Sequence, residues 1–281
     1  MNMAASAEPA AVVEAMQMPA WIERGAQRTP LVVGYGVESG DRIHTGRDAR
    51  VLLKLQEGSH IKLGEQAQFN VDALATPKDS ADVFKGVVDV LNGAFRFTTS
   101  ALGALHHRQI QARISTVTIG IRGTDVWGKA DSGRDFVVLL EGKIDIARDG
   151  ESAQRMETPM SIFSAPKNAA TEAVVAVDPN ALQKWAQETE LQPGAGVMTG
   201  DGRWAVAIAA SAGAPAANSL ATHMQAAGYA VDIDTVGTQA SPLSHVKLSG
   251  FTTQADAERV RQRLVREFGL NDGDAVLEPS S

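Results

Sequence analysis

The feature that most constrains this chain is a repeated change of hydrophobic period between residues 201 and 281. Trp204-Ala205-Val206-Ala207-Ile208-Ala209 alternates as a strand does, whereas Leu220, Met224 and Ala227 recur at helical spacing. Val231 and Ile233 alternate again, as do Val246 and Leu248. Ala257, Val260, Leu264 and Phe268 form a second helical stripe, and Val276-Leu277 closes the run. The order β-α-β-β-α-β predicts an α+β unit, a four-stranded antiparallel sheet with two helices on one face. Residues 212–217, with Gly213 and Pro215, are expected to form a loop within it. Helices on one side leave the other free to bind something.

Strand parity names the residues of that free side. If Trp204, Val206 and Ile208 face the helices, Ala205, Ala207 and Ala209 line the open face. Val231 and Ile233 are then core, leaving Asp232 and Asp234 open. Val246 and Leu248 are core, leaving His245, Lys247 and Ser249 open. This predicts a shallow channel with an alanine floor, flanked by hydrogen-bonding groups. The alternative is an ordinary solvated face on which Lys247 pairs with an acid. The face offers no evident aromatic residue for stacking on a sugar.

Four segments of the tail resemble the SPOR (sporulation-related repeat) domain: residues 204–211, residues 218–229, His245-Val246-Lys247-Leu248-Ser249-Gly250-Phe251 and Ala255-Asp256-Ala257. The resemblance covers residues 201 to 279. It implies a periplasmic or surface module that binds peptidoglycan glycan strands stripped of stem peptides, often at the division septum. Where the family commonly has Gln in the first strand, this chain has Ala207. His245 replaces the family's strand Arg, and Ser249-Gly250-Phe251 stands for Gly-Pro-Phe.

Upstream, residues 31 to 147 read as strands separated by Gly and Asp turns. Val51-Leu52-Leu53-Lys54-Leu55 is followed by the turn Glu57-Gly58-Ser59 and by His60-Ile61-Lys62-Leu63. Phe95-Arg96-Phe97, Val117 to Ile121, Phe136 to Leu140 and Lys143 to Ile146 continue the series. No convincing long helix interrupts it, so an all-β sandwich, roll or short solenoid is expected. Glycines at 40, 46, 58, 123 and 142 fall where strands must reverse.

This segment resembles the FecR domain through four separated blocks. They are Ser39-Gly40-Asp41-Arg42-Ile43-His44-Thr45-Gly46, Leu53-Lys54-Leu55-Gln56-Glu57-Gly58-Ser59, Ile121-Arg122-Gly123-Thr124-Asp125-Val126 and Leu140-Glu141-Gly142-Lys143-Ile144. The resemblance implies an extracytoplasmic β domain that engages an envelope partner. The cytoplasmic anti-sigma segment and transmembrane helix of FecR signalling proteins have no counterpart here, so sigma-factor regulation does not carry over. Arg122-Gly123-Thr124 could offer a cation and a hydroxyl to a ligand, or Arg122 could pair with a nearby Asp.

The expected organisation is an N-terminal segment at 1–30, a FecR-like β domain at 31–166, a helix and linker at 167–200, and a SPOR-like domain at 201–281. Asp178-Pro179 reads as an N-cap followed by a first-turn Pro, opening a helix over 179–191 that packs back on the first domain. Pro193-Gly194-Ala195-Gly196 is the expected linker, separating two independent cores. Ala5-Ser6-Ala7 before Glu8-Pro9 resembles the end of a signal peptide, most of which would precede Met1. A periplasmic location follows from it and from the two resemblances.

Composition narrows the function. A net charge of −7 argues against nucleic acid, and residues 201–281 carry six Lys/Arg against nine Asp/Glu. With no cysteine, disulfides and thiolate chemistry are excluded. No stretch approaches the roughly 20 apolar residues that cross a bilayer. There is no nucleophile elbow or phosphate loop, and Gly34-Tyr35-Gly36 lacks the third glycine of a dinucleotide fingerprint. His106-His107 lacks the i, i+4 spacing of helical metal ligands. Asp232 and Asp234 fall within the ~5–9.5 Å range of a glycosidase pair, but nothing else supports hydrolysis. A non-catalytic protein without metal or cofactor is therefore expected. Its predicted role is glycan binding through Ala207, Asp232, Asp234, His245, Lys247 and Ser249, with an envelope protein as partner of the first domain. The alternative is a FecR-type signalling or scaffold protein whose tail binds protein.

Overall fold

Short alternating apolar runs cannot bury themselves, so they pair edge to edge. In a computed structural model, which describes residues 9–75, 83–100, 107–121, 123–210, 214–238 and 241–280, such strands dominate the chain. The first are β1 (Ala11–Gln17), β2 (Ala20–Arg24), β3 (Gln27–Pro30), β4 (Gly36–Val37), β5 (Arg42–Thr45), β6 (Arg50–Leu55), β7 (His60–Leu63) and β8 (Gln68–Ala75). Next come β9 (Val83–Thr98), β10 (His107–Ile114), β11 (Val117–Ile121), β12 (Asp125–Ala130) and β13 (Arg134–Glu141). β14 (Ile144–Arg148), β15 (Gln154–Met156), β16 (Ser161–Pro166) and β17 (Val175–Ala176) lead to helix α1 (Pro179–Thr189). The remainder runs β18 (Val197–Thr199), β19 (Trp204–Ala210), α2 (Ala214–Ala226), β20 (Asp232–Thr238), β21 (Ser241–Phe251), α3 (Gln254–Phe268) and β22 (Ala275–Pro279).

The amino-terminal strands form two sheets joined by β9. Its first part pairs with β8 and, in parallel, with β10, while residues 93–98 pair with β7 and β12. The change of sheet falls at Gly93, whose φ is +88° and where a Cβ would lie 2.7 Å from Ala67. Only glycine tolerates both the dihedral and the contact. Gly46 acts differently from the turn role expected of it: its φ is not positive, and a Cβ there would sit 2.7 Å from Pro19. Apart from that position, the architecture is the all-β domain that the alternation implied. The second sheet runs β3–β2–β5–β8–β9–β10–β11–β14–β15.

Residues 11–30, assigned from sequence to a segment outside the β domain, supply β1, β2 and β3, and the first two of these strands carry core residues. Val13, Met16, Ala20 and Ile22 are at most 1 % exposed. Their pattern was obscured because a register shift between Val13 and Ala15 breaks the alternation of β1. Ala5-Ser6-Ala7 lies outside the described residues.

Asp178 caps α1, its carboxylate accepting from the backbone N–H of Asn180, and Pro179 occupies the first turn. The helix packs on the first domain as expected. Trp185 stacks on buried Trp127 with ring centroids 5.4 Å apart and planes 9° apart, worth ~0.5–1.5 kcal/mol beyond burial alone.

The tail has the β-α-β-β-α-β order that the changing period implied. Its sheet order is β20–β21–β19–β22, all antiparallel. α2 begins at Ala214, so the expected 212–217 loop is helical from that residue on. Pro215 misled because proline punctuates loops yet is tolerated in a first helical turn. Residues 211–213 lie outside the described residues.

The expected linker is in fact the seam of the molecule. β18 pairs with β1 through Ala15↔Thr199, Met16↔Met198 and Gln17↔Val197, and Met198 also pairs with Phe251 of β21. One sheet therefore runs β17–β16–β13–β12–β9–β7–β6–β1–β18–β21 and into the tail. One Asp256 carboxylate oxygen, on a side chain 1 % exposed, accepts from the backbone N–H of Gly194 (2.8 Å), Gly196 (3.0 Å) and Val197 (2.9 Å). Buried Gln17 donates to the Ala195 carbonyl at 3.1 Å and accepts from Gln192 N–H at 3.0 Å. Trp21 donates to the Ala226 carbonyl and packs on Gly228, where a Cβ would lie 2.7 Å from the indole. Val13, Met16, Met198, Val206 and Phe251 share one apolar cluster, so the two regions do not have the separate cores expected of them.

Candidate functional site

The four strands of the tail position the open face row by row. Asp232, Lys247, Ala207 and Val276 are consecutive partners across β20, β21, β19 and β22. Asp234, His245 and Ala209 form the next row, and Ser249, Ala205 and Glu278 the row on the other side. α2 and α3 cover the opposite side, where Val206, Ile208, Val246 and Leu248 are fully buried. Parity therefore assigned Ala207, Asp232, Asp234, His245, Lys247 and Ser249 to one face correctly.

Height on that face differs from expectation. Ala205 and Ala207 are 0 % and 1 % exposed, so they do not form an open floor. Lys247 Nζ reaches Glu278 Oε1 at 2.6 Å, and because these residues flank β19 from opposite sides the ion pair spans its alanines. Short side chains between long ones are covered, not exposed. The acid-paired alternative for Lys247 is realised, with a glutamate from the last strand. Asp232, Asp234 and Ser249 are exposed, and His245 is half-buried.

Two residues of the face were not foreseen. Val276 is 49 % exposed beside Ala207, and Glu278 supplies the carboxylate. The adjacent pair Val276-Leu277 hides its phase, since either residue could face the core. Ile233, expected in the core, is 41 % exposed although it pairs with buried Val246. It lies on β20, whose one strand neighbour among the described residues is β21.

α3 is fixed at both ends. The Thr253 hydroxyl accepts from Asp256 N–H, and Gly269 closes the helix with φ +64°. Behind the sheet, Tyr229 is buried and donates to Glu267 at 2.6 Å. Burial, with that acceptor, raises the phenol's pKa well above its usual value. These groups support the face without reaching it.

In the amino-terminal region the motif residues are mainly structural. Asp41 is buried and accepts a fork of hydrogen bonds from Arg24 at 2.8 and 2.7 Å. Asp125 holds Arg96 in the same way. Thr124 is 2 % exposed, which removes its hydroxyl from any ligand, and Arg122 lies outside the described residues. His107 opens β10, and His106 also lies outside the described residues.

Residues 41–145 match the family model described as FecR protein, and residues 200–272 match that of the SPOR domain. The two follow in amino- to carboxy-terminal order. No curated protein matches the chain. Two crystal structures of a candidate anti-sigma factor from Parabacteroides distasonis ATCC 8503 align over 85 % of this chain and 99 % of theirs, at 13 % identity and a TM-score of 0.43.

Proposed function

We propose that this is a non-catalytic protein of the bacterial envelope whose tail docks on peptidoglycan glycan strands lacking stem peptides, while the FecR-matching region engages an envelope partner. The observation that supports it most is the open sheet face within the SPOR match. Asp232, Asp234, His245 and Ser249 offer donors and acceptors along it, and Val276 adds a small apolar contact. The hydroxyl and acetamido groups of such a glycan ask for a row of hydrogen-bonding groups, and the lactyl carboxylate left on each muramoyl sugar asks for a donor, which the His245 ring can supply. A periplasmic location fits both matched families, and no described helix is long and apolar enough to cross a membrane.

The Lys247–Glu278 pair favours a second reading. It occupies the place where a glycan would sit deepest, so the face would suit a flatter protein surface and the tail would serve a scaffold. Sedimentation with sacculi, intact or stripped of stem peptides by an amidase, separates the two. Glycan binding requires enrichment on stripped sacculi and its loss with His245→Ala or Asp234→Ala. Equal, absent or mutation-insensitive sedimentation rejects it.

A further inference from the structure

We propose that the outer face of the second amino-terminal sheet binds an extended acidic peptide segment of a partner protein. This refines the partner assigned above to the FecR-matching region and is independent of glycan binding by the tail. A cavity of about 940 Å³ crosses β8, β9, β10, β11, β14 and β15 on that face. Its central row is Ala73, Val87, Gln111, Gly120, Asp145 and Arg155, neighbours strand by strand. Gly120 makes the hollow. A Cβ there would meet nothing within 4 Å, so the row dips where every other strand carries a side chain.

The lining chemistry selects the occupant. Gln109 and Gln111 both point outward from β10, and Lys85 is the partner of Gln109 on β9. None of the three side chains has a hydrogen-bond or ion-pair partner among the described residues. Amides two residues apart on a strand are spaced by ~6.6–6.8 Å, the repeat at which an extended peptide presents its own N–H and C=O groups. Each amide can both donate and accept, as such a backbone demands. Lys85, Lys143 and Arg155 outnumber Asp145 in the lining, a positive balance on a chain of net charge −7. Arg155 meets Asp145 at 3.3 Å and Glu157 at 3.7 Å, and Lys143 meets Glu157 at 3.3 Å. These are exposed pairs that an incoming carboxylate can replace. Among the described residues no aromatic side chain lines the cavity, which disfavours ligands recognised by stacking.

The test uses the full chain and a fluorescein-labelled peptide of alternating aspartate and valine, read by fluorescence anisotropy. Saturable binding is expected, weakened about tenfold or more by Gly120→Leu, which fills the hollow, and by Lys85→Glu, with melting temperatures unchanged. The same peptide with asparagine for aspartate should bind more weakly. The proposal is overturned if the acidic peptide does not saturate, if Gly120→Leu leaves its affinity intact, or if an acidic oligosaccharide such as oligogalacturonate displaces it at lower concentration than unlabelled peptide. Sacculus sedimentation of Gly120→Leu should equal wild type, so failure of either site is visible without the other.

Discussion

The two outward sheet faces of this molecule carry the same motif, small residues in the middle of a strand, with opposite results. On the tail sheet, Ala207 is 1 % exposed because Lys247 and Glu278 join above β19. On the second amino-terminal sheet, Gly120 is open because Gln111 stands free and Asp145 turns to Arg155. A small residue makes a channel only where its neighbours have no partner across it. Periodicity reports which side a residue faces and is silent about what leans over it.

The comparison assumes that both faces sit on one body, and the seam is where that can be broken most severely. Asp256→Ala removes the acceptor of three backbone N–H groups, at Gly194, Gly196 and Val197, and leaves the last two buried without a partner. Hydrogen bonds to a charged acceptor are worth about 1.5–3 kcal/mol each and are not additive, so a loss of about 3–5 kcal/mol is expected. Denaturant melts of the full chain measure it. The wild type should unfold in one transition, and residues 1–192 and 199–281 made separately should each melt far below it, since cutting there severs the β1–β18–β21 pairing. Two fragments as stable as the whole would mean that the seam is decorative.

How much was legible follows the same division between side and neighbour. The tail order, the all-β first region and the capped α1 were readable because each rests on local period or on a cap within a few residues. The open-face residues were readable by parity. The seam was not, because Gly194 and Gly196 look like a linker until Asp256, some sixty positions on, supplies their acceptor. Glu278 was missed for a related reason: only the placement of β19 between β21 and β22 brings it to Lys247. The hollow at Gly120 also depends on strands distant in sequence.

Matched substitutions sharpen the contrast between the faces. Ala207→Leu inserts a larger side chain beneath the Lys247–Glu278 pair, and overpacking of this kind costs about 1–3 kcal/mol. Gly120→Val adds a β-branched side chain in open space on a regular strand. It should be neutral or stabilising by up to about 1 kcal/mol, since glycine in a strand interior is entropically unfavourable. The melt of Ala207→Leu should therefore fall while that of Gly120→Val holds or rises. A fall in both would refute the difference drawn between the faces.

The smallest expected stability effect tests the covered floor most directly. Glu278→Ala breaks the 2.6 Å pair with Lys247, but Glu278 is 35 % exposed and water screens it. Partly exposed pairs contribute within about 1 kcal/mol, so the melt should barely shift. Binding is the informative readout. Without its partner, Lys247 can swing away and open the row of Ala205 and Ala207 between Ser249 and His245. If the ion pair is what keeps a glycan out, sedimentation with amidase-stripped sacculi should rise in Glu278→Ala and rise again with Ala207→Gln, which places an amide on the uncovered floor. If Glu278 instead contacts the ligand itself, its removal should lower sedimentation. Unchanged sedimentation in both variants, with the fold intact, would remove the alanine floor from the site and leave recognition to Asp232, Asp234 and His245 on β20 and β21.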